Sequence, residues 1–300
     1  MAGAPAGFYD KACLGILSPG ASPRMEQYRD GLSPLFSRLS LVCPKSLENL
    51  QEVVADSARE YEVILAVGGD GTVNQVVQRF DLAAQTLMVL PSGTGNDLAR
   101  ALHIPRKRED YIRALPNFHI LEIDAWKIGE RRFVNSLGIG LDTQVLETMA
   151  NSRGLLHSDY MAAFLATLPR LQRTNLHASL DGNTAVDGKV WWLVAMNSVN
   201  IGGGLPVAPG ADLSDGKLDV VVIGDCSRLE MLLKLPKLYK QAHYGDKRVS
   251  HMHTAQIDLE ELAPPVAIGI DGELARFAET SLHIASAGKL KVACVAEDRR

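Results

Sequence analysis

Two short stretches of this chain set carboxylates among glycines and hydroxyls. The first, Gly68-Gly69-Asp70-Gly71-Thr72, follows the apolar run Val63-Ile64-Leu65-Ala66-Val67 and leads into Val73-Asn74-Gln75. Branched apolar residues that stop at two glycines have the pattern of a buried parallel strand turning tightly into a helix. Without Cβ atoms, Gly68, Gly69 and Gly71 can take positive φ and let backbone N–H groups approach an anion at the helix N-terminus. Asp70 would repel a bare phosphate, whereas with a divalent cation between them it becomes a ligand. The loop therefore predicts a metal-bound nucleotide. A turn that merely closes a strand is the plainer alternative.

A second loop of the same layout argues against that alternative. In LMVLPSGTGNDLARAL, residues 87–102, an apolar strand runs into Pro91-Ser92-Gly93-Thr94-Gly95-Asn96-Asp97 and then a helix. Two strand ends with small residues and one carboxylate each fit neighbouring strands of one parallel sheet, whose ligands bind beyond the carboxyl ends. Asp97 has a second use open to it, as an N-terminal helix cap.

Together, GGDGTVNQV and PSGTGNDLAR resemble the catalytic domain of diacylglycerol kinases in the form of the soluble bacterial lipid kinases (YegS/BmrU-like), with sphingosine and ceramide kinases as relatives. GGDGT alone is shared with NAD kinases; Asn74 and the Gly93-Thr94-Gly95-Asn96-Asp97 loop favour the lipid branch. The resemblance continues through Asn135, Gly138, Gly140, Asn197, Gly202-Gly203-Gly204, Pro209, Ala211, Asp215-Gly216, Leu218-Asp219 and Asp271-Gly272-Glu273. It implies ATP and Mg²⁺ as cofactors and a nucleotide held by Gly68, Gly69, Asp70, Gly71, Thr72, Val73, Asn74, Gly93, Thr94 and Asn96. It implies an acidic network of Asp70, Asp97 and Asp124, and Glu273 as the proton acceptor. It also implies a structural Mg²⁺ on the Asp215 carboxylate and the backbone carbonyls of Asp212 and Lys217. From the residues alone, Asp271-Gly272-Glu273 is a hairpin turn with exposed acids and Asp215-Gly216 a plain turn.

Two positions depart from the family pattern. Ser18-Pro19-Gly20-Ala21-Ser22 stands where the family has Asn-Pro-x-Ser-Gly, and Cys43-Pro44 where it has a threonine near the phosphates. The spacing from Gly15 to Gly20 mimics a Walker A loop, but no Lys-Ser/Thr follows. Arg24 is a substitute phosphate contact or a solvated helix residue.

At 300 residues and 46% hydrophobic, the chain can bury the cores of two domains. Apolar spacing predicts a strand over 12–17, helices over 24–39 and 45–60 with Ser46 at the second start, and a short strand, LSLVC, between them. From about residue 118 the texture changes: HILEIDAWKIGERRFVNSLGIG alternates around a Gly-Glu turn, as a hairpin does. The fold expected is thus an α/β Rossmann-like parallel-sheet nucleotide-binding domain, of NAD kinase and diacylglycerol kinase type, over 1–120, then an antiparallel β-sandwich over 121–300 whose last residues return to the first domain. In the second half, strands are expected at 175–181, 186–197, 218–223, 247–259, 265–270 and 280–295, and helices at 141–150, 158–171 and 227–242.

A net charge of −4 leaves no basic footprint for nucleic acid. Cys13, Cys43, Cys226 and Cys294 are scattered, as reduced cytosolic thiols are. The start, MAGAPAGFYDKACLGIL, has no basic segment before a continuous apolar one, which argues against a signal peptide. No apolar run approaches the roughly 20 residues that span a bilayer. A cytoplasmic protein peripheral to the inner membrane face is expected, and a homodimer is compatible with it. Arg106, Lys107 and Arg108 are either a solvated helix entrance or a contact for anionic headgroups. Residues 227–248 mix leucines with Lys234, Lys237, Lys240, Lys247 and Arg248, the pattern of an interfacial helix or of one packed on the sandwich, with Pro236 interrupting either.

The function expected is an ATP- and Mg²⁺-dependent lipid kinase that transfers the γ-phosphate to a lipid hydroxyl, diacylglycerol-like by default. Its rivals are an NAD kinase-type nucleotide kinase and a non-catalytic nucleotide- or lipid-binding protein with a degraded first phosphate loop.

Overall fold

The computed structural model describes residues 4–19, 21, 23, 25–57, 59–155, 159–224 and 226–295. Gly20 and Ser22 of the first turn and Arg24 lie outside them. The chain divides into two compact units, Met1–Ala125 with Gly288–Arg300, and Trp126–Ala287.

The first unit is wound around four parallel strands, β1 (Ala12–Leu17), β2 (Arg38–Val42), β3 (Val63–Gly68) and β4 (Thr86–Pro91), in the order β2-β1-β3-β4. Every residue of β1, β3 and β4 is buried, so they read as unbroken apolar runs. Helices α1 (Met25–Leu32), α2 (Leu47–Ser57), α3 (Asp70–Arg79), α4 (Asp97–Ala101) and α5 (Arg108–Ala114) connect them, and β5 (Phe118–Ile128) leaves the unit. The Ser46 hydroxyl accepts from the Asn49 N–H at 3.1 Å, as its place at the start of α2 requires. The helix expected to reach residue 39 stops at Leu32. Pro34 has no N–H to give the Asp30 carbonyl, residues 33–35 form a turn, and β2 takes over at Arg38.

In the second unit the chain continues through β6 (Arg131–Phe133), β7 (Ser136–Gly140), α6 (Leu141–Ala150), α7 (Tyr160–Thr167), β8 (Thr174–Leu180), β9 (Asn183–Val190) and β10 (Trp192–Met196). It goes on through β11 (Asn200–Ile201), β12 (Leu205–Pro206), β13 (Leu218–Ile223), α8 (Arg228–Tyr239), β14 (Val249–Thr254), β15 (Ile257–Glu260), β16 (Val266–Ile270) and β17 (Glu273–Phe277). The last strand, β18 (Leu282–Val295), begins here against β15 and ends in the first unit, where Lys291 and Val292 pair in parallel with Thr86 and Leu87 of β4.

An antiparallel sheet β14-β13-β10-β7-β16-β17 packs one face against the layer of β8, β9 and β15 and the other against the helices. Residues alternate accordingly: Leu193, Ala195, Leu218 and Val220 enter the core between the sheets, while Trp192, Val194, Met196 and Val221 meet α6, α7 and α8. Covering both faces explains the continuous run Trp-Leu-Val-Ala-Met in β10. Two expected strands are resolved differently. Residues 186–197 break at Trp191, whose indole N–H donates to the Cys226 carbonyl at 2.7 Å. Residues 247–259 break at Ala255-Gln256, whose N–H groups each donate to the Asp181 carboxylate at 3.1 Å while the chain changes sheets. The strand expected at 280–295 is β18, and the hairpin turn read at Asp271-Gly272 joins β16 to β17.

Candidate active site

In the first unit the strand order reverses between β1 and β3, so the loops leaving their carboxyl ends flank the position where doubly wound sheets bind ligands. The loops are tied to one another in sequence along this edge. The Cys43 thiol donates to the Ser18 carbonyl at 3.4 Å, the Ser18 N–H to the Val67 carbonyl at 3.0 Å, and the Ser92 N–H to the Gly68 carbonyl at 2.9 Å.

The centre of this edge is Asp70. Its Oδ1 accepts the Asp97 N–H at 2.7 Å, so the carboxylate of the first loop caps the helix of the second. Burial raises the Asp70 pKa above the usual carboxylate value, against the opposing pull of the N–H groups of Asp97, Asn96, Leu98 and Asp70 itself. Asn96 is the residue before α4, in the left-handed region at φ 54°, and its amide is spent on its own loop: it donates to the Gly93 carbonyl at 2.7 Å and accepts from the Gly93 N–H at 3.1 Å.

The glycines do not use the positive φ open to them. Gly69 has φ −97°, Gly71 lies within α3, and neither Gly68 nor Gly93 adopts positive φ. They are needed for close approach. A Cβ on Gly93 would lie 2.5 Å from the Gly69 Cα, and one on Gly68 would lie 2.2 Å from the Thr72 Oγ1. Bare backbone against bare backbone sets the distance between the loops. The residue before α3 is Gly69, which has no side chain with which to cap the first-turn N–H groups.

The other candidates of the first unit divide into buried and exposed. Thr72, Val73 and Asn74 are buried on α3, as are Asp97 at the start of α4 and Asp124 in β5. Asp124 Oδ1 pairs with the Lys289 ammonium at 2.6 Å. Thr94 is exposed at the loop tip, and its carbonyl accepts from the Arg106 guanidinium at 3.4 Å.

In the second unit, Glu273 opens β17 half-buried, paired in register with Ile270. Its neighbour Asp271 is not the exposed turn acid that the residues alone suggest. It is 6% exposed at φ 48°, and its carboxylate accepts from the N–H groups of Val134 at 3.0 Å, Asn135 at 2.8 Å and Ser136 at 2.9 Å. The other polar residues matched to the family join the same support. The Asn197 amide donates to the Val134 carbonyl at 2.7 Å and accepts the Trp126 indole N–H at 2.9 Å, and Ser198 donates to the Asn135 side chain. Asp271 was passed over because an Asp-Gly turn has an ordinary local explanation; its partners lie more than a hundred residues earlier.

Asp212 and Asp215 sit in an exposed turn before β13. Asp212 Oδ1 accepts from the Ser214 N–H at 2.9 Å, and Asp215 Oδ1 from the Lys217 N–H at 2.9 Å, with Gly216 at φ 75°. One carboxylate and the carbonyls of Asp212 and Lys217 make an all-oxygen donor set that suits Mg²⁺ with waters completing its shell. The acidic edge of Asp70 and Asp97 likewise offers only hard oxygen donors.

Helix α8 continues through Pro236, which lies inside Arg228–Tyr239 and does not interrupt it as expected. A capping box secures its start: Ser227 Oγ accepts from the Glu230 N–H at 3.1 Å, and Glu230 from the Ser227 N–H at 2.8 Å. Met231 and Leu238 pack inward, while Leu229 is 64% and Leu233 68% exposed. Among the described residues no helix is long and apolar enough to cross a membrane.

Comparison with known proteins covers both units. A model of the diacylglycerol kinase catalytic domain matches residues 21–128, and one of the YegS C-terminal NAD kinase beta sandwich-like domain matches residues 135–293. The diacylglycerol kinase of Bacillus subtilis (strain 168) is 28% identical over 227 residues, covering 72% of either chain. That of Mycobacterium tuberculosis (strain CDC 1551 / Oshkosh) is 29% identical over 237 residues, covering 74% of either. Among solved structures, a Bacillus anthracis str. Sterne protein proposed to be a diacylglycerol kinase superposes with a TM-score of 0.80 at 19% identity, over 96% of either chain. An Archaeoglobus fulgidus NAD kinase solved with ATP superposes at 0.53 and 11% identity, over 96% of this chain and 94% of that one. At these identities the solved structures show a shared fold.

Proposed function

This chain belongs to the diacylglycerol kinase catalytic-domain family in its bacterial, YegS-like form, a family of kinases, and from that membership we propose that it transfers the γ-phosphate of ATP to a lipid hydroxyl, diacylglycerol by default. The observation that carries the reading is the Asp70–Asp97 hydrogen bond at 2.7 Å, which holds two glycine loops edge to edge with a buried carboxylate between them. Phosphoryl transfer requires positioning and neutralisation of charge more than covalent help. The first-turn N–H groups of α3 and the loop residues Gly68, Gly69, Asp70, Gly71, Thr72, Val73, Asn74, Gly93, Thr94 and Asn96 bind the nucleotide phosphates. Asp70 and Asp97, with Asp124, hold the Mg²⁺ that accompanies ATP. That ion, when bound, offsets the charge gathering on the phosphate oxygens. Asp212, Asp215 and Lys217 hold a second Mg²⁺ whose role is structural.

Glu273 accepts the proton of the acceptor hydroxyl as its oxygen bonds to the γ-phosphorus and ADP leaves. Asp271 is a positioning residue: by tying the turn to the amides of residues 134–136, it sets the start of β17 and with it the Glu273 side chain. The lipid is met at a bilayer surface, the inner face in a cytoplasmic setting. The exposed Leu229 and Leu233 of α8, with Lys240 and Lys247 nearby, supply the contact.

The test is transfer of radiolabelled γ-phosphate from Mg-ATP to a panel of lipids in mixed micelles, with NAD as a soluble acceptor in a parallel arm. Label in an extracted lipid, lost in Glu273→Gln with the fold intact, is the expected result. Label in NAD alone would establish the nucleotide kinase, and a folded protein that labels neither would establish the binding-only reading. Full activity in Glu273→Gln would remove that residue as the base.

A further inference from the structure

A cluster in the second unit has no part in that reaction. Asp219 on β13 and His253 on the edge strand β14 are paired in register, and His251 follows two residues away on the same face. Asp219 is 2% exposed. Its Oδ1 lies 2.7 Å from His251 Nε2 and 3.5 Å from His253 Nδ1, and one ligand atom from each residue falls within 4.8 Å of the others. Tyr244 stacks on His251 with ring centroids 4.0 Å apart and 18° between planes, and His253 meets the same imidazole edge-on at 4.7 Å. The side chains grow more exposed along the row, 2% for Asp219, 21% for His251 and 50% for His253, so the cluster opens to solvent on one side.

We propose that Asp219, His251 and His253 form a binding site for a divalent transition metal of the zinc class, with water in the open position. A buried carboxylate needs a counter-charge, and among the described residues the groups within ion-pair distance of Asp219 are these two imidazoles. Neutral imidazoles supply hydrogen bonds but no charge; a divalent ion supplies it and uses their lone pairs. Two imidazole nitrogens and one carboxylate oxygen converging from one side are the donor set of three-ligand metal sites with an open position. In a tetrahedral site, metal–ligand bonds of about 2.0–2.2 Å place adjacent donors about 3.3–3.6 Å apart. The 3.5 Å separation already has that spacing, the 2.7 Å one must open by somewhat under about 1 Å, and the donor atoms of all three residues lie within 4.8 Å of one another. Imidazole donors disfavour Mg²⁺, so this site differs in chemistry from the oxygen-only turn at Asp212–Lys217. The strand pair explains how the site is built: β13 fixes the carboxylate inside, and the two-residue period of β14 puts both histidines over it. The stacked Tyr244 holds one of the rings in place.

The test uses the full chain, freed of metal by chelation and kept in excess Mg²⁺ so that oxygen-only sites are filled. Co²⁺ is titrated in, followed by its d–d absorption, and then displaced with Zn²⁺. Thermal melts with and without Zn²⁺ run alongside. One equivalent of Co²⁺ displaced by Zn²⁺ and a Zn²⁺-dependent rise in Tm are expected. Losing even a group behind a metal ligand costs about 10–100-fold in affinity, so His253→Gln, on a half-exposed edge position, should weaken binding by about tenfold or more and abolish the rise in Tm. Asp219→Asn should do the same if it folds, and His253→Gln decides if it does not. Absence of Co²⁺ binding by the native chain, or binding of equal affinity in His253→Gln, would overturn the assignment.

Discussion

The Asp70–Asp97 contact lets structure and chemistry be separated at one side chain. Asn96, the residue before α4, spends its amide on Gly93, and α4 has no side-chain cap of its own; Asp70, reaching from the neighbouring loop, accepts the Asp97 N–H instead. Asp70→Ala deletes that acceptor. A hydrogen bond to a charged group contributes about 1.5–3 kcal/mol and a helix cap about 0.5–2 kcal/mol, so a loss of about 1–3 kcal/mol is expected, at roughly 2–4 °C of Tm per kcal/mol. Asp70→Asn keeps an oxygen at the same place and removes only the charge. Because burial raises the Asp70 pKa, the folded state holds the proton more tightly than the unfolded chain. Its contribution to stability is therefore full in acid, below the unfolded value, and is lost as pH rises through the folded one. At pH 7.5 the charge is a burden on the fold, and Asp70→Asn should melt at or above the native temperature. Both variants should lose about 10²-fold or more in phosphate transfer, because the charge proposed to hold Mg²⁺ is gone in each. The assay is calorimetric melting at pH 7.5 beside the micelle transfer reaction. Asn as unstable as Ala would show that charge, not the acceptor, holds α4; an unchanged melt in Ala would show that the contact holds nothing.

Three further outcomes follow from the packing. Gly93→Ala drives a Cβ to 2.5 Å from the Gly69 Cα, which should cost about 1–3 kcal/mol and raise the KM for ATP; an unchanged KM in a folded variant would dissociate loop spacing from nucleotide binding. In the second unit, Asp142 is buried beneath Gly138 and Gly269 with its pKa pushed up to about 6 by burial, although the Tyr160 hydroxyl donates to it at 2.9 Å and pulls the other way. Its stabilising contribution should be full below about pH 4 and lost as pH rises through 6, about 3 kcal/mol in all, and denaturant titrations between pH 5 and 7.5 should show that slope flattened in Asp142→Asn. Leu233→Asp, at a position 68% exposed, should leave the unfolding free energy unchanged within about 0.5 kcal/mol while weakening binding to anionic vesicles in sedimentation by about tenfold or more, from the roughly 1.5–3 kcal/mol that burying a leucine contributes; equal sedimentation would remove α8 as the membrane contact.

Much of this protein is legible one segment at a time. The apolar runs ending in Gly68-Gly69-Asp70 and in Pro91-Ser92-Gly93 mark β3 and β4, the helix of residues 141–150 has the limits expected of it, and the paired loop motifs point to the family. These features depend on neighbours within a turn or a strand, and local periodicity records them. Pro34 is a local signal too, but apolar spacing continues past it to residue 39 while α1 ends at Leu32. What local pattern leaves open is any property set by a partner distant in the chain. The glycines permit positive φ or close approach equally well, and only the meeting of Gly69 with Gly93 selects the second. Asp271 reads as a turn residue until the amides of Val134, Asn135 and Ser136 arrive from another strand. Asp219, which the sequence marks only as part of the family resemblance, has no local link to His251 and His253 until β13 and β14 align. Sequence by itself determined which segments become strands, loops and helices, because hydrophobic period and backbone freedom are local; tertiary structure decided which polar groups share one space, because burial and hydrogen-bond partners exist only once distant segments have come together.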